Sequence, residues 1–288
     1  MARIVLGHRD GALATRQART VLTELSAEWP DVQIVLRQVA SKSGADGLLG
    51  ALSAGSVGMA VAAVDTLPPT LPEGLTLAAV GRRLEPRAAL VARGRLALTD
   101  LAAAARVRVY AERDLGFVRA ALPGADVAVW KGTVDEALAR LIADEHDALL
   151  FPGALLIALD RRDRIDALLE PEAFPPAPGQ GAMGLVVRSD DDAAAELAYT
   201  LQHRPSFDRV RAERAFAAGL AGLDVGALAT IDEDGDLQLF GAVVAQGGAA
   251  GRADGAVLHA STSGDAKDAE ELGSELARDV RERLVALA

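Results

Sequence analysis

The chain of 288 residues contains no cysteine. That absence excludes disulfides, thiolate metal sites, thiol nucleophiles and any cofactor held by a thioether to the chain. Aromatic residues make up only 3%, so cores must be built mainly from Ala, Leu and Val. Cations are also short, with 30 Lys and Arg against 41 Asp and Glu for a net charge of -11. Phosphate backbones require a basic surface, so a general nucleic-acid partner is not expected, although a local basic pocket for an acidic small molecule remains open. No apolar run reaches the roughly 18 residues that span a bilayer. The start, Met1-Ala2-Arg3-Ile4-Val5-Leu6-Gly7, enters an apolar strand without a charged-then-apolar leader. A soluble cytoplasmic protein with no membrane partner is the expectation.

What is present reads as a globular chain, half hydrophobic and a quarter charged. Its length favours two or three domains over one core. Ile4 to Leu6 is a short apolar run ended by Gly7. Ala12 to Trp29 carries Leu13, Gln17, Val21, Leu22 and Leu25 at helical spacing before Pro30, and Val32 to Val39 is a second strand. Strand, helix, strand in about forty residues is the mark of a parallel crossover. Further strands are expected at Met59 to Val64, Leu75 to Val80 and Ala88 to Val91. A second α/β unit is expected from near Leu98: strand Val107 to Tyr110, helix Asp114 to Leu122, strand Val127 to Trp130, helix Val134 to Ala143 and strand Ala148 to Phe151.

Phe174 to Gly184 is rich in Pro and Gly and suits a crossover between lobes, leading to the strand Leu185 to Val187. After Ser206 the pattern changes. A helix at Val210 to Leu220 precedes strands at Val225 to Ile231, Leu237 to Ala245 and Val257 to Ala260, with turns at Asp234-Gly235 and in the Gly-rich stretch before Val257. A final helix carries Leu272, Leu276, Val280, Leu284 and Leu287 on one stripe. This last part reads as a small antiparallel sheet covered by helices.

Phosphate loops, dinucleotide fingerprints, metalloprotease helices and a Gly-x-Ser-x-Gly elbow are absent from the sequence. The histidines, His8, His146, His203 and His259, are far apart. Asp144-Glu145-His146-Asp147 is a local group of metal-capable residues, but it falls at a helix end where such residues usually meet solvent, and no metal is expected. Three stretches stand out. Gly7 to Ala14, around Arg9, is a strand-to-helix turn that presents backbone N–H groups and a fixed positive charge, which suit a carboxylate. An arginine capping its own loop is the equal alternative. Lys131-Gly132-Thr133-Val134-Asp135 is a second such turn, alternatively a solvated lysine beside an ordinary turn. Pro176 to Ala182 carries Gln180 and is otherwise a plain hinge. Two cation-bearing turns in two similar lobes point to an anion held in an interlobe cleft.

On these residues the chain resembles the porphobilinogen deaminase (hydroxymethylbilane synthase) family along nearly its whole length. The family opening Gly-Thr-Arg-x-Ser-x-Leu-Ala-x-x-Gln appears as Gly7 to Gln17, and the Leu-Pro-x-x-Leu-Pro-x-Gly-Leu region as Leu67 to Leu75. Asp-Pro-Arg appears as Glu85-Pro86-Arg87 and Arg-Gly-Asn-Val-Asp as Lys131 to Asp135. Ala-Pro-Gly-Gln-Gly-Ala is Ala177 to Ala182, and Ala212 to Phe216 matches the helix opening the third domain. The resemblance implies two similar periplasmic-binding-protein-like α/β lobes, residues 1–88 with 180–203 and residues 89–175, plus a small α+β domain, residues 206–288, with an antiparallel three-stranded sheet. It implies a monomeric transferase of tetrapyrrole biosynthesis that joins porphobilinogen units on a dipyrromethane primer. Arg9, Arg113, Lys131, Thr133 and Gln180 would bind a small carboxylate-bearing ligand, porphobilinogen or another pyrrole.

Departures from the family pattern concentrate at its chemistry. Leu223 takes the place of the cysteine that carries the dipyrromethane, so no covalent cofactor is expected. The motif His-Ser-Leu-Lys-Asp-Leu-Pro aligns without gaps to Ala62 to Pro68, which puts Thr66 at the catalytic aspartate and Asp65 at the lysine. A slip of one residue would return Asp65 to the catalytic position. Lys131 keeps the charge of an arginine without its bidentate geometry. Asp114 replaces the arginine beside Arg113, Ala137 another arginine, and Leu155 to Leu159 the element Gly-Leu-Lys-Arg-Leu. The resemblance therefore implies either an enzyme with an unattached primer or a homologue kept for binding a small carboxylate.

Overall fold

The computed structural model describes residues 2–40, 45–245 and 256–287. The Gly-rich turn expected at 246–255 and the side chain of Leu287 lie outside the described residues. The chain divides into two compact units, residues 1–84 with 182–210 and residues 85–181 with 211–288.

The first unit is built on a five-stranded sheet. Its strands are β1 (Ala2–Arg9), β2 (Val32–Val39), β3 (Met59–Ala63), β4 (Leu75–Val80) and β10 (Met183–Arg188), in the order β2-β1-β3-β10-β4. β1 runs parallel to β2 and β3, whereas β10 is antiparallel to β3 and β4. Helix α1 (Ala12–Glu28) places Val21 and Leu25 on one face of the sheet with Leu6, Met59 and Val61. The helix ends at Trp29, ahead of Pro30, as a residue before proline is driven out of helical geometry. Helix α2 (Asp46–Ser53) covers the other face with Leu48, Leu49 and Leu52. With both faces covered, β3 is buried along nearly its whole length, which is why it reads as an unbroken apolar run.

The second unit repeats this plan and adds a layer. β5 (Ala88–Val91), β6 (Arg106–Val109), β7 (Asp126–Val129), β8 (Ala148–Pro152) and β9 (Ala167–Leu168) form a sheet in the order β7-β6-β8-β5-β9. β6 is parallel to β7 and β8, and β5 is antiparallel to β8 and β9. The second sheet thus begins at β5, ahead of Leu98. Helices α3 (Asp114–Ala121) and α4 (Val134–Ile142) cover opposite faces through Phe117 and Val118, and through Leu138 and Leu141. In the same unit β11 (Val225–Ile231), β12 (Asp236–Val244) and β13 (Val257–Asp265) make an antiparallel three-stranded sheet. It packs on Phe216 of α7 (Arg204–Gly219) and on Leu276 and Val280 of α8 (Ala269–Leu287).

Three helices escape apolar patterning: α2, α5 (Gly153–Ala158) and α6 (Asp192–Tyr199). Each is eight residues or fewer, so each offers few turns over which a repeat can show. Helix α6 is signalled only by Asp191, whose carboxylate accepts the Ala194 N–H at 3.0 Å as an N-cap. Helix α7 starts at Arg204 rather than Val210, because its first turn is polar and carries Pro205 where no N–H partner is needed.

Candidate carboxylate-binding site

In both sheets one strand lies between two strands that come later in the chain, β1 between β2 and β3, and β6 between β7 and β8. Ligands of open α/β sheets bind beyond the carboxyl ends of strands at such a switch point. Arg9 ends β1, and Asp65 and Thr66 follow the adjacent β3 in a 3-10 turn (Val64–Thr66). Arg113 follows β6, and Lys131 and Thr133 follow its neighbour β7. The sequence candidates therefore sit at strand ends, Arg9, Asp65 and Thr66 in the first unit and Arg113, Lys131, Thr133, Gln180 and Leu223 in the second.

Among the described residues, the helix start at the first unit's strand end has no side-chain cap. Gly11 is the N-cap of α1 at φ 108°, a conformation that disfavours side chains, and it caps nothing. No acidic residue lies in the first turn of α1, although Asp10 precedes its N-cap, and no side chain among the described residues caps its first N–H groups. Arg9 is half-buried, and its Nε is buried with no hydrogen-bond partner among the described residues. A carboxylate placed here would meet a guanidinium and backbone donors together. Asp65 is half-buried, while the Thr66 hydroxyl donates back to the Ala63 carbonyl at 2.7 Å and is held within its own turn.

The second unit's strand ends are already furnished with carboxylates. Thr133 caps α4, accepting the Glu136 N–H at 3.2 Å, while Glu136 Oε2 accepts the Thr133 N–H at 2.7 Å and its hydroxyl at 2.9 Å. The backbone N–H of Thr133, and then its hydroxyl, hold the Glu136 carboxyl below its ordinary range. Asp135 pairs with Arg161 at 2.8 Å. Lys131 is exposed.

Arg113 is engaged from several directions. Its Nη1 pairs with Asp114 Oδ1 at 3.0 Å, its Nη2 donates to the Pro175 carbonyl at 2.8 Å, and the guanidinium lies 4.7 Å from the Phe117 ring centroid. Burial pushes the Asp114 carboxyl up, against the pull of Arg113 and the Ala111 N–H. Asp224, just before β11, is likewise raised by burial and lowered by Arg113.

Gln180 serves the crossover. Its Nε2 donates to the Pro86 carbonyl at 2.6 Å, and its neighbour Gly179 donates its N–H to Glu213 Oε2, also at 2.6 Å. Glu213 is fully buried and accepts the Ala229 N–H of β11 with its other oxygen. The 144–147 cluster assembles no metal group among the described residues. Asp144 and Asp147 pair with Arg93 and Arg106, and His146 is buried edge-on to Trp130, where burial and then Arg108 lower its imidazole.

These features define a class: α/β proteins with two similarly ordered five-stranded sheets and a small three-stranded antiparallel sheet. A family profile described as porphobilinogen deaminase, dipyromethane cofactor binding domain, matches residues 4–196. A porphobilinogen deaminase of Thermus thermophilus is 39% identical over 98% of this chain and 97% of its own, and that of Deinococcus radiodurans 34% over 98% and 96%. Among solved structures, the substrate-binding domain of a putative molybdenum ABC transporter from Clostridium difficile is similar at TM-score 0.48 and 11% identity, covering 74% of this chain and 97% of that one. The chain belongs to the porphobilinogen deaminase family.

A thioether-linked dipyrromethane does not fit the residues present. There is no thiol in the chain, and Leu223 packs its side chain against the core of the small sheet. Sequence reasoning missed Glu136, Glu213 and Asp224, the carboxylates that occupy this unit from within. The Thr133-x-x-Glu136 spacing of a capping box was the available signal for the first.

Proposed function

We propose that this member of the porphobilinogen deaminase family recognises a small carboxylate-bearing pyrrole, porphobilinogen first among candidates, without a covalently attached dipyrromethane primer. The observation that carries the reading is the absence of any thiol, with Leu223 committed to an apolar core. Arg9 beside the uncapped start of α1 supplies the charge and donors for one carboxylate. Each charge-assisted bond there contributes about 1.5–3 kcal/mol. Lys131 adds an exposed second charge that neutralises without orienting. Asp65, rather than Thr66, offers a carboxylate against positive charge on a pyrrole nitrogen, since the Thr66 hydroxyl is turned back on its own backbone.

A second reading is hydroxymethylbilane synthesis from a primer held non-covalently, and the full-length likeness to curated porphobilinogen deaminases favours it. One experiment separates the two. Purified protein is incubated with porphobilinogen and its consumption followed, with intact mass and Ehrlich's reagent on the denatured chain reporting any attached pyrrole. Binding by calorimetry without turnover, at the bare sequence mass, is the expected result. Turnover to hydroxymethylbilane at the bare mass would establish the second reading, and an attached pyrrole would overturn both.

A further inference from the structure

His146 is a buried titratable group that carboxylate recognition leaves unused. It stands between α4 and β8, 5% exposed, and neither ring nitrogen meets solvent or makes a hydrogen bond among the described residues. An imidazole left this way costs stability that an apolar side chain of the same shape would not. Charging it would cost more, because it would gain a second N–H donor without an acceptor. The charged groups around it oppose a proton as well. Arg108 comes from β6 and pairs with Asp126 at 3.1 Å, and Arg140 comes from α4 and pairs with Glu145 at 3.5 Å. The flanking Asp144 and Asp147 are engaged by Arg93 and Arg106, Glu136 of α4 is engaged by Thr133, and β8 brings only apolar residues. Burial, and then Arg108, push the imidazole below its ordinary 6.5, with Arg140 adding to the push and the Glu145 backbone and carboxylate opposing it.

What His146 supports is Trp130. The two rings meet edge-on, 5.6 Å between centroids and 73° between planes, and the Arg140 guanidinium lies 5.3 Å from the indole centroid. The indole in turn holds the Lys131–Thr133 turn. Its Nε1 donates to the Thr133 carbonyl at 2.8 Å, and a Cβ on Gly132 would lie 2.8 Å from Trp130 Cζ2. We propose that His146 is a proton-operated latch that, when neutral, seats Trp130 against the Lys131–Thr133 turn and, when protonated, leaves its place and frees that turn. Histidine suits the task because its ordinary titration falls in the physiological range. The neutral form is the one the fold accommodates, so the latch is closed above 6.5 and opens as pH falls below that value. The latch lies outside the reading under Proposed function and holds whatever ligand the first unit takes.

The test uses the full chain with Trp29→Phe, which leaves Trp130 as the one indole. Acrylamide quenching of its fluorescence is followed from about pH 8 to about pH 5.5, the span in which a histidine changes charge. Quenching should rise about two-fold on acidification, and amide hydrogen exchange over residues 130–136, corrected for the intrinsic effect of pH, should quicken about ten-fold. Exchange separates a loosened turn from direct quenching of the indole by a charged imidazole. In His146→Phe both responses should vanish. Responses that persist in that variant, or a Trp130 indifferent to pH across the range, would overturn the proposal. Should His146→Phe fail to fold, the four imidazoles of the wild-type chain are titrated by NMR. A His146 midpoint below 6.5 that coincides with a shift of the Trp130 indole N–H supports the latch. An imidazole that titrates while the indole stays unmoved refutes it, as does one that never titrates while the fold persists.

Discussion

Two lobes of one strand plan end their strands in opposite ways. In the first unit the helix after β1 starts at Gly11, with no acid in its first turn and Arg9 two residues before it. In the second unit the helix after β6 starts on the Arg113–Asp114 pair, and the helix after β7 on a closed Thr133–Glu136 box backed by Asp135 and Arg161. Backbone geometry places a helix start at both. Side chains leave it open in one and occupy it in the other. The same arginine type thus pairs with a neighbouring acid at one strand end, and at the other has a buried Nε without a hydrogen-bond partner among the described residues.

The strongest way to break this comparison is Arg113→Met. Asp114 would keep its burial and lose its ion partner, a loss of about 3–5 kcal/mol for a buried pair with one member removed. Urea unfolding should show the midpoint falling sharply. A change below about 1 kcal/mol, the scale of an exposed pair, would mean that Arg113 is a ligand group after all. Arg9→Ala should behave in the reverse manner. Calorimetry with porphobilinogen should show affinity reduced roughly ten- to hundred-fold, the worth of one or two charge-assisted bonds. Stability should fall less than at Arg113, because the half-buried Arg9 leaves no buried acid unpaired among the described residues when it is removed. Equal losses of stability at both arginines would erase the distinction.

Thr133→Ala tests the second lobe's other strand end at smaller scale. Loss of an N-cap hydroxyl costs about 1 kcal/mol, and unfolding should report that loss. Because Glu136 keeps its carboxylate over the helix start, ligand affinity should not change. A gain in porphobilinogen binding would show that the box had been excluding a ligand.

Much of the strand plan is legible in the sequence: expected and observed ends coincide at Val32–Val39, Leu75–Val80 and Val225–Ile231, and the buried strands β3 and β8 are continuous apolar runs. Short helices are not legible, since α5 completes fewer than two turns and shows no period. For the site, sequence places Arg9, Arg113 and Lys131 at strand-to-helix turns, but it does not say which guanidinium is already spent. That depends on contacts distant along the chain: Pro175 lies 62 residues from the arginine whose Nη2 it accepts. Asp224, far from Arg113 in sequence, reads locally as an ordinary polar residue before a strand.

The smallest effect concerns the acids that stiffen the second lobe away from its strand ends. Asp147 accepts Arg106 through both oxygens, at 3.0 and 2.9 Å, and also takes the Arg106 N–H at 2.7 Å. Its carboxyl is thereby lowered from 3.8 to about 2, the Arg106 side chain being the main cause. A carboxyl with a depressed folded pKa stabilises the protein above its unfolded value and loses that contribution as pH falls through the folded one. The midpoint difference between wild type and Asp147→Asn should therefore be full above pH 4 and fade between 3.8 and about 2. Asp147 is part-exposed, so the gap should be small and shrink with added salt. Asp114→Asn should trend oppositely, because burial raises Asp114 and its ionisation costs stability as pH rises. If the two variants track each other through the acid range, the contrast between a solvated fastening at Asp147 and a desolvated one at Asp114 is lost, and with it the reason that the strand end at Arg113 is closed.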